Sequence, residues 1–175
     1  MPARIALVAL DPRIRSAYPL GAARSRLQSF PASTGSVVPA MAAALLELHL
    51  QIESEGGDFR ITDLFRSSAV QAQGRAKYER WLAAGKPKPG TPGFRPEQMK
   101  AAFVAKPGGS FHEAGRAVDI DHMRAAPERI SRDNKLDWLW ERALPLGFRP
   151  AIKAPDEGAK EAWHFDFMGE WEPVY

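Results

Sequence analysis

One stretch of the chain constrains the fold more than any other: Ser-Phe-His-Glu-Ala-Gly-Arg-Ala-Val-Asp-Ile-Asp, over residues 110–121. Its polar spacing is too irregular for one face of a helix, but it suits a turn that leads into a strand. On that strand Ala117, Asp119 and Asp121 would share one side. The stretch therefore predicts a turn that carries His112 and a strand that carries Asp119.

A second short stretch, Glu161-Ala-Trp-His164, supplies the remaining groups of a metal site. Two histidines and one carboxylate, with a fourth position open to water, are typical of a catalytic zinc site. We therefore predict that Zn²⁺ is held by His112, Asp119 and His164. Glu161 is the expected general base, because this group must lie close to the metal without binding it.

Three other residues compete for these roles or lie near them. Asp121 is the rival of Asp119, since both are on the same side of the predicted strand. His122 matches no position of the pattern, and we assign it no role. His49 lies between two leucines on a predicted helix. We interpret it as a structural or surface histidine, because the metal ligands are complete without it.

The pattern Ser110-x-His112-x-x-Gly115-x-Ala117-x-Asp119, followed by Glu161-x-Trp163-His164, resembles the zinc D-alanyl-D-alanine carboxypeptidases of the VanY type. Their relatives include peptidoglycan endopeptidases, phage endolysins, lysostaphin-like enzymes and the hedgehog domain. The resemblance covers residues 37–170. It implies a zinc peptidase that hydrolyses peptide bonds in peptidoglycan stem peptides or muropeptides.

An upstream stretch, Ile61-Thr-Asp-Leu-Phe-Arg66-Ser67-Ser68 with Gln71 after it, adds to the resemblance. The family element is a hydrophobic run, then Gly-Tyr-Arg-Ser and a later Gln, and here Leu-Phe replaces Gly-Tyr. The resemblance implies that Arg66 stabilises the developing oxyanion of the substrate, a role that suits a guanidinium group. It also implies that Ser110 and Gln71 help to hold the substrate or the site.

Hydrophobic periodicity and capping residues predict the remaining elements. They are a core helix to Glu53 capped by Ser36, a strand at 59–64, a helix capped by Ser67 or Ser68 that ends near Gly85, a helix ending at Gly147, and strands at 148–153 and 163–168. This order predicts an α+β domain with a small antiparallel sheet that carries the zinc site, flanked by helices.

Turn signals and proline suggest a division of the chain into two parts. Residues 1–35 are expected to form an N-terminal arm packed on the domain, with little regular structure, and residues 36–175 to form the zinc peptidase domain. The Pro-rich segment 86–96 cannot be a helix or a central strand. It is either a wall of the substrate groove or a surface insertion.

Composition and charge limit the kind of protein this can be, the atoms that can hold its metal and the partners it can bind. The hydrophobic fraction of 45% and charged fraction of 26% argue against disorder, and the absence of cysteine leaves only nitrogen and oxygen to hold zinc. No apolar run is long enough to span a bilayer, and no secretion signal is evident. We expect a monomer, made in the cytoplasm, that acts in the cell wall or periplasm. The net charge of +3 comes without a nucleic-acid motif, so we expect no such partner.

The sequence leaves the reaction open between three possibilities. A D-Ala-D-Ala carboxypeptidase is the first, an endolysin-like L-Ala-D-Glu endopeptidase is the second, and a non-catalytic metal-binding or cell-wall-binding domain of the same fold is the third. The motifs do not separate the first two, because specificity resides in the loops that line a groove. Glu161 and Arg66 argue against the third, since a binding module needs no general base.

Overall fold

A computed structural model describes residues 6–16, 36–88, 90–94, 105–124, 135–150 and 163–169. These residues form three helices and seven strands. In chain order they are β1 (Val8–Ala9), β2 (Arg15–Ser16), β3 (Ser36–Val37), α1 (Pro39–Ser54), β4 (Asp58–Asp63), α2 (Ser68–Ala83), β5 (Ala117–Arg124), α3 (Lys135–Ala143), β6 (Phe148–Pro150) and β7 (His164–Phe167).

The main sheet has five strands in the order β2-β4-β5-β7-β6. All its neighbours pair antiparallel except β2, which runs parallel to β4. The longest strand, β5, therefore lies in the middle, between β4 and β7. This architecture confirms the predicted α+β domain with a small antiparallel sheet.

The hydrophobic core lies between the sheet and α1. Helix α1 packs against β4 and α3. It buries the residues whose helical spacing predicted it, namely Met41, Leu45, Leu48 and Ile52, together with Ala44 and His49. The sheet contributes Phe59, Phe148, Phe165 and Phe167, each at most 1% exposed. His49 is buried too, with its ring edge against Phe59 at a centroid distance of 5.9 Å.

The helix starts were predicted with mixed success. Ser67 caps α2, and its hydroxyl accepts a hydrogen bond from the backbone N–H of Val70 at 3.4 Å. The prediction that Ser36 caps α1 was wrong. Ser36 lies in β3, and the N-cap is Val38, whose side chain makes no capping hydrogen bond. Pro39 in the first turn lacks an N–H, so one of the donors that a cap would satisfy is missing.

The N-terminal residues pair with strands that follow much later in the chain, and this pairing was not predicted. Strand β1 pairs with β3 antiparallel, with Val8 opposite Val37, while β2 pairs with β4, with Arg15 opposite Arg60. A strand of two residues is too short to show an alternating pattern. Its pairing partner is also distant in sequence, so a local pattern does not reveal the pairing. The division into an arm and a domain stays a prediction.

The described part of the Pro-rich segment consists of turns. The indole N–H of Trp81 donates to the carbonyl oxygen of Pro87 at 3.1 Å, and the N–H of Thr91 donates to the carbonyl oxygen of Lys88 at 3.0 Å. The two roles proposed for the segment stay predictions. Among the described residues, no helix is long and apolar enough to cross a membrane.

Candidate metal centre

The described residues bring one group of potential metal ligands together, and it consists of His112, Asp119 and His164. His112 lies in the turn before β5, Asp119 is on β5, and His164 begins β7. Asp119 and His164 are directly opposite each other in the antiparallel pair, so their side chains share a face of the sheet. The sequence predicted the same three residues as the zinc ligands.

The turn before β5 depends on Gly115, which has a φ of +65°. Its carbonyl oxygen accepts the N–H of Val38 at 3.0 Å. A Cβ atom at this position would lie 2.6 Å from Cδ2 of Leu7, so a side chain is excluded by crowding as well as by conformation. The glycine thus fixes the turn that delivers His112 to the head of the strand.

The spacing of the three donor atoms fits a zinc ion. Nε2 of His112 lies 3.3 Å from Nδ1 of His164 and 3.4 Å from Oδ1 of Asp119, while Nδ1 of His164 lies 2.9 Å from that same oxygen. Ligands about 2.0–2.1 Å from a tetrahedral zinc are roughly 3.3 Å apart. The donors need only small adjustments to surround the ion.

The outer nitrogen of each imidazole has its own hydrogen-bond partner. Nδ1 of His112 lies 2.6 Å from the carbonyl oxygen of Leu64, and Nε2 of His164 lies 3.0 Å from Oδ1 of Asp166. Since a carbonyl only accepts, Nδ1 of His112 donates to it, and this bond orients Nε2 towards the other two candidate ligands. Asp166 lies on the same face of β7 as His164, and its carboxylate contacts the imidazole.

Asp119 and His164 shift each other's pKa. Burial alone would raise the pKa of Asp119, but hydrogen bonds from His112 and His164 outweigh this effect and hold it well below its usual range. Burial would lower the pKa of His164, yet hydrogen bonds to Asp119 and Asp166 raise it to about 10.

Arg66 is held beside this group by a network of buried side chains. Its guanidinium donates to Oδ2 of Asp63 and, at 2.8 Å, to Oε1 of Gln71. Its backbone N–H donates to the carbonyl oxygen of His112 at 3.1 Å, which ties it directly to the metal-binding turn. Gln71 is 1% exposed and also donates from Nε2 to the carbonyl oxygen of Ala105 at 2.7 Å.

Of the other two predicted site residues, the structure describes Ser110 but not Glu161. Ser110 is half-buried at the start of the turn, and its carbonyl oxygen accepts the N–H of Glu113 at 3.0 Å. Glu161 lies outside the described residues.

Asp63 was not predicted as part of the site, and it is 2% exposed at the end of β4. Its position three residues before Arg66 could have indicated an ion pair between the two side chains.

The fold resembles those of several solved peptidases. It is similar to a variant of the vancomycin resistance D,D-pentapeptidase VanY from a VanB-type cassette in complex with Zn(II), with 22% identity, a TM-score of 0.51 and coverage of 77% of this chain and 74% of that chain. It is also similar to VanYB in complex with D-alanine-D-alanine, with 19% identity, a TM-score of 0.54 and coverage of 89% and 85%. The LD-carboxypeptidase LdcB gives 18% identity, a TM-score of 0.57 and coverage of 93% and 68%.

The family follows from the sequence itself. The chain belongs to the VanY family of D-alanyl-D-alanine carboxypeptidases, whose model matches residues 35–170. The resemblance predicted from the motifs is thereby confirmed, and with it the predicted zinc peptidase. A search of curated protein sequences gives no significant match.

Proposed function

We propose that the protein is a zinc-dependent D-alanyl-D-alanine carboxypeptidase that acts on peptidoglycan stem peptides. One observation carries the proposal: His112, Asp119 and His164 converge with donor spacings of 2.9–3.4 Å in a chain of the VanY family. The relative solved with Zn(II) and the relative solved with D-alanine-D-alanine support the choice of metal and of substrate.

Two residues of this chain would carry the proton transfer and the charge stabilisation. Bound zinc would supply a Lewis acid that acidifies water and polarises the substrate carbonyl. Glu161 takes a proton from the attacking water and returns it to the departing amine. Arg66 donates hydrogen bonds to the carbonyl oxygen as its negative charge develops, and Asp63 and Gln71 hold the guanidinium for this purpose.

Ser110 and Gln71 were predicted to hold the substrate or the site. Both polar ends of the Gln71 side chain are already engaged, by Arg66 and by the carbonyl oxygen of Ala105. This supports a role in holding the site. Ser110 is half-buried beside the metal-binding turn, and we retain its proposed role in holding the substrate.

Metal analysis and product analysis together test the proposal. Zinc content is measured on the wild type and on His112→Ala, and D-alanine release is followed from a muropeptide pentapeptide with and without a chelator. We expect one zinc ion per chain, its loss in the variant, and release of D-alanine that the chelator stops.

The other outcomes lead to different functions. Cleavage between L-Ala and D-Glu in digested peptidoglycan would replace the carboxypeptidase with an endopeptidase. Bound zinc without cleavage of any wall peptide would indicate a binding module of the same fold. A wild-type protein that binds no zinc would contradict the metal centre, and with it the proposed chemistry.

A further inference from the structure

The carboxylate of Asp166 lies against the imidazole of His164 on the side away from the other two ligands. Alternation along β7 places both side chains on one face, while Phe165 and Phe167 are buried on the other. Nε2 of His164 is 3.0 Å from Oδ1 of Asp166, and Nδ1 is 2.9 Å from Oδ1 of Asp119. The ring therefore bridges the candidate metal centre and a second carboxylate two residues along the same strand.

The neighbours of Asp166 in the sheet leave its carboxylate available to His164. Arg149 on β6 and Ala117 on β5 are directly opposite Asp166 on its two sides. Arg149 donates from Nη1 to the carbonyl oxygens of Leu144 and Phe148, both at 2.8 Å. Ala117 offers only a methyl group. With its side chain 28% exposed, Asp166 is partly shielded from water, which strengthens its interaction with the ring.

The two histidines therefore form hydrogen bonds with different kinds of acceptor. The acceptor for His112 is a neutral backbone carbonyl, that of Leu64, whereas the acceptor for His164 is a carboxylate. A carboxylate that accepts the outer N–H of an imidazole fixes the tautomer and the orientation of the ring, and raises the basicity of the other nitrogen. His164 would bind through Nδ1, so the proton has to be kept on Nε2.

We propose that Asp166 is a positioning residue that fixes His164 as an Nδ1 ligand of the metal. This inference rests on the proposed function, because it takes the metal to be zinc. Without the carboxylate, the acceptor that keeps the proton on Nε2 is lost, and a half-turn of the ring about its Cβ–Cγ bond can carry Nδ1 away from the site. Asp166 thus contributes to metal affinity without contacting the metal.

The test compares Asp166→Ala and Asp166→Asn with Asp58→Ala and Asp58→Asn. Asp58 begins β4 at the end remote from Asp63, whose partner is Asp119, so it controls for the loss of a carboxylate on a strand of this sheet. Zinc affinity is measured by competition with a chelating dye. The ligand field is followed by the visible absorption of the cobalt(II)-loaded protein. Far-UV circular dichroism checks that each variant is folded.

We expect Asp166→Ala to lower zinc affinity by about 10-fold to 100-fold and to change the cobalt spectrum. Asp166→Asn should lose less, because its amide oxygen can still accept the N–H of His164. Neither Asp58 variant should alter the affinity or the spectrum. If Asp166→Ala fails to fold, Asp166→Asn alone provides the comparison.

Two results separate this inference from the proposed function. If the wild type binds zinc and the folded Asp166 variants match it within about 2-fold, the inference is overturned and the proposed function stands. If the wild type itself binds no zinc, the metal centre and the proposed function fail first. The cobalt spectrum adds a readout that a purely structural role for Asp166 would leave unchanged.

Discussion

The orientation of the Arg66 side chain depends on two neighbouring side chains. Its guanidinium is planar and presents five N–H donors at fixed angles, so two acceptors leave further donors for a substrate oxygen. Asp63 and Gln71 are those acceptors, and both are nearly inaccessible to solvent. The orientation of the guanidinium is thus set before a substrate arrives.

Replacing Gln71 with alanine tests this orientation. In Gln71→Ala we expect kcat to fall by about 10-fold to 100-fold, less than the 10²–10³ typical of removing an oxyanion donor itself. Zinc content should not change, because Gln71 contacts no ligand. Gln73→Ala is the matched control, since Gln73 is exposed two residues along the same helix. Equal kcat values for the two variants would contradict the role of Gln71.

The general base gives the second prediction for a single residue. Glu161→Ala should abolish turnover and leave zinc bound, since the base removes a proton but is not a ligand. Elemental analysis and D-alanine release measure the two effects separately. Glu141→Ala, in which an exposed carboxylate on α3 is removed, should retain both. Loss of zinc from Glu161→Ala would mean that Glu161 is a ligand.

At the scale of elements, the turn before β5 is the most constrained part of the site. Gly115→Ala should destabilise the protein by about 1 kcal/mol or more, because alanine is strained at positive φ and its Cβ would crowd Leu7. Because the turn carries His112, zinc affinity should fall as well. Denaturant titration and dye competition measure the two effects.

Gly85→Ala separates conformational strain from crowding. Gly85 has a φ of +78°, and a Cβ there would meet nothing within 4 Å. We expect this variant to show the strain alone and to bind zinc like the wild type. A similar loss of zinc affinity in both variants would show that the turn does not act through His112.

The elements that could be predicted are those whose hydrophobic pattern lies within a single stretch of sequence. The spacing of Met41, Leu45 and Leu48 is the signature of a buried helical face, and the alternation around Phe165 and Phe167 is that of a half-buried strand. These patterns recur within one element, so they can be detected without any knowledge of its neighbours. Elements α1 and β7 were therefore predicted nearly at their observed limits.

The features that were missed depend on contacts between distant segments. Pairing of β1 with β3 brings Val8 opposite Val37, and neither two-residue strand is long enough to show a pattern. Asp63 would pass for a surface carboxylate, although it ends β4 beside β5 and is only 2% exposed. The three candidate ligands could be named from the sequence because a known motif supplied the long-range information that periodicity lacks.

At the scale of the whole molecule, the metal would join three separate parts of the chain. His112 comes from the turn, Asp119 from the central strand and His164 from a strand more than forty residues further on. A ligand that binds only the folded state stabilises it by RT ln(1 + [L]/Kd), about 2.7 kcal/mol when the ligand is at one hundred times its Kd. Zinc bound here would therefore stabilise the entire domain.

Metal removal tests this coupling. We expect a chelator to lower the Tm of the wild type by several degrees, and added zinc to restore it, in a thermal unfolding experiment. His112→Ala should show no response to either treatment, since its site lacks one ligand. A wild-type Tm that is indifferent to chelator and zinc would contradict the coupling of the metal to the fold.

Strand β7 has a consequence for how this protein can evolve. Its four residues alternate strictly between the metal-binding face and the buried face. Inserting or deleting a single residue would exchange the two faces, so that phenylalanines would point at the metal and His164 and Asp166 into the core. Point substitutions can alter this strand gradually, but changes of length cannot. We expect its homologues to vary in composition here and to keep a constant length.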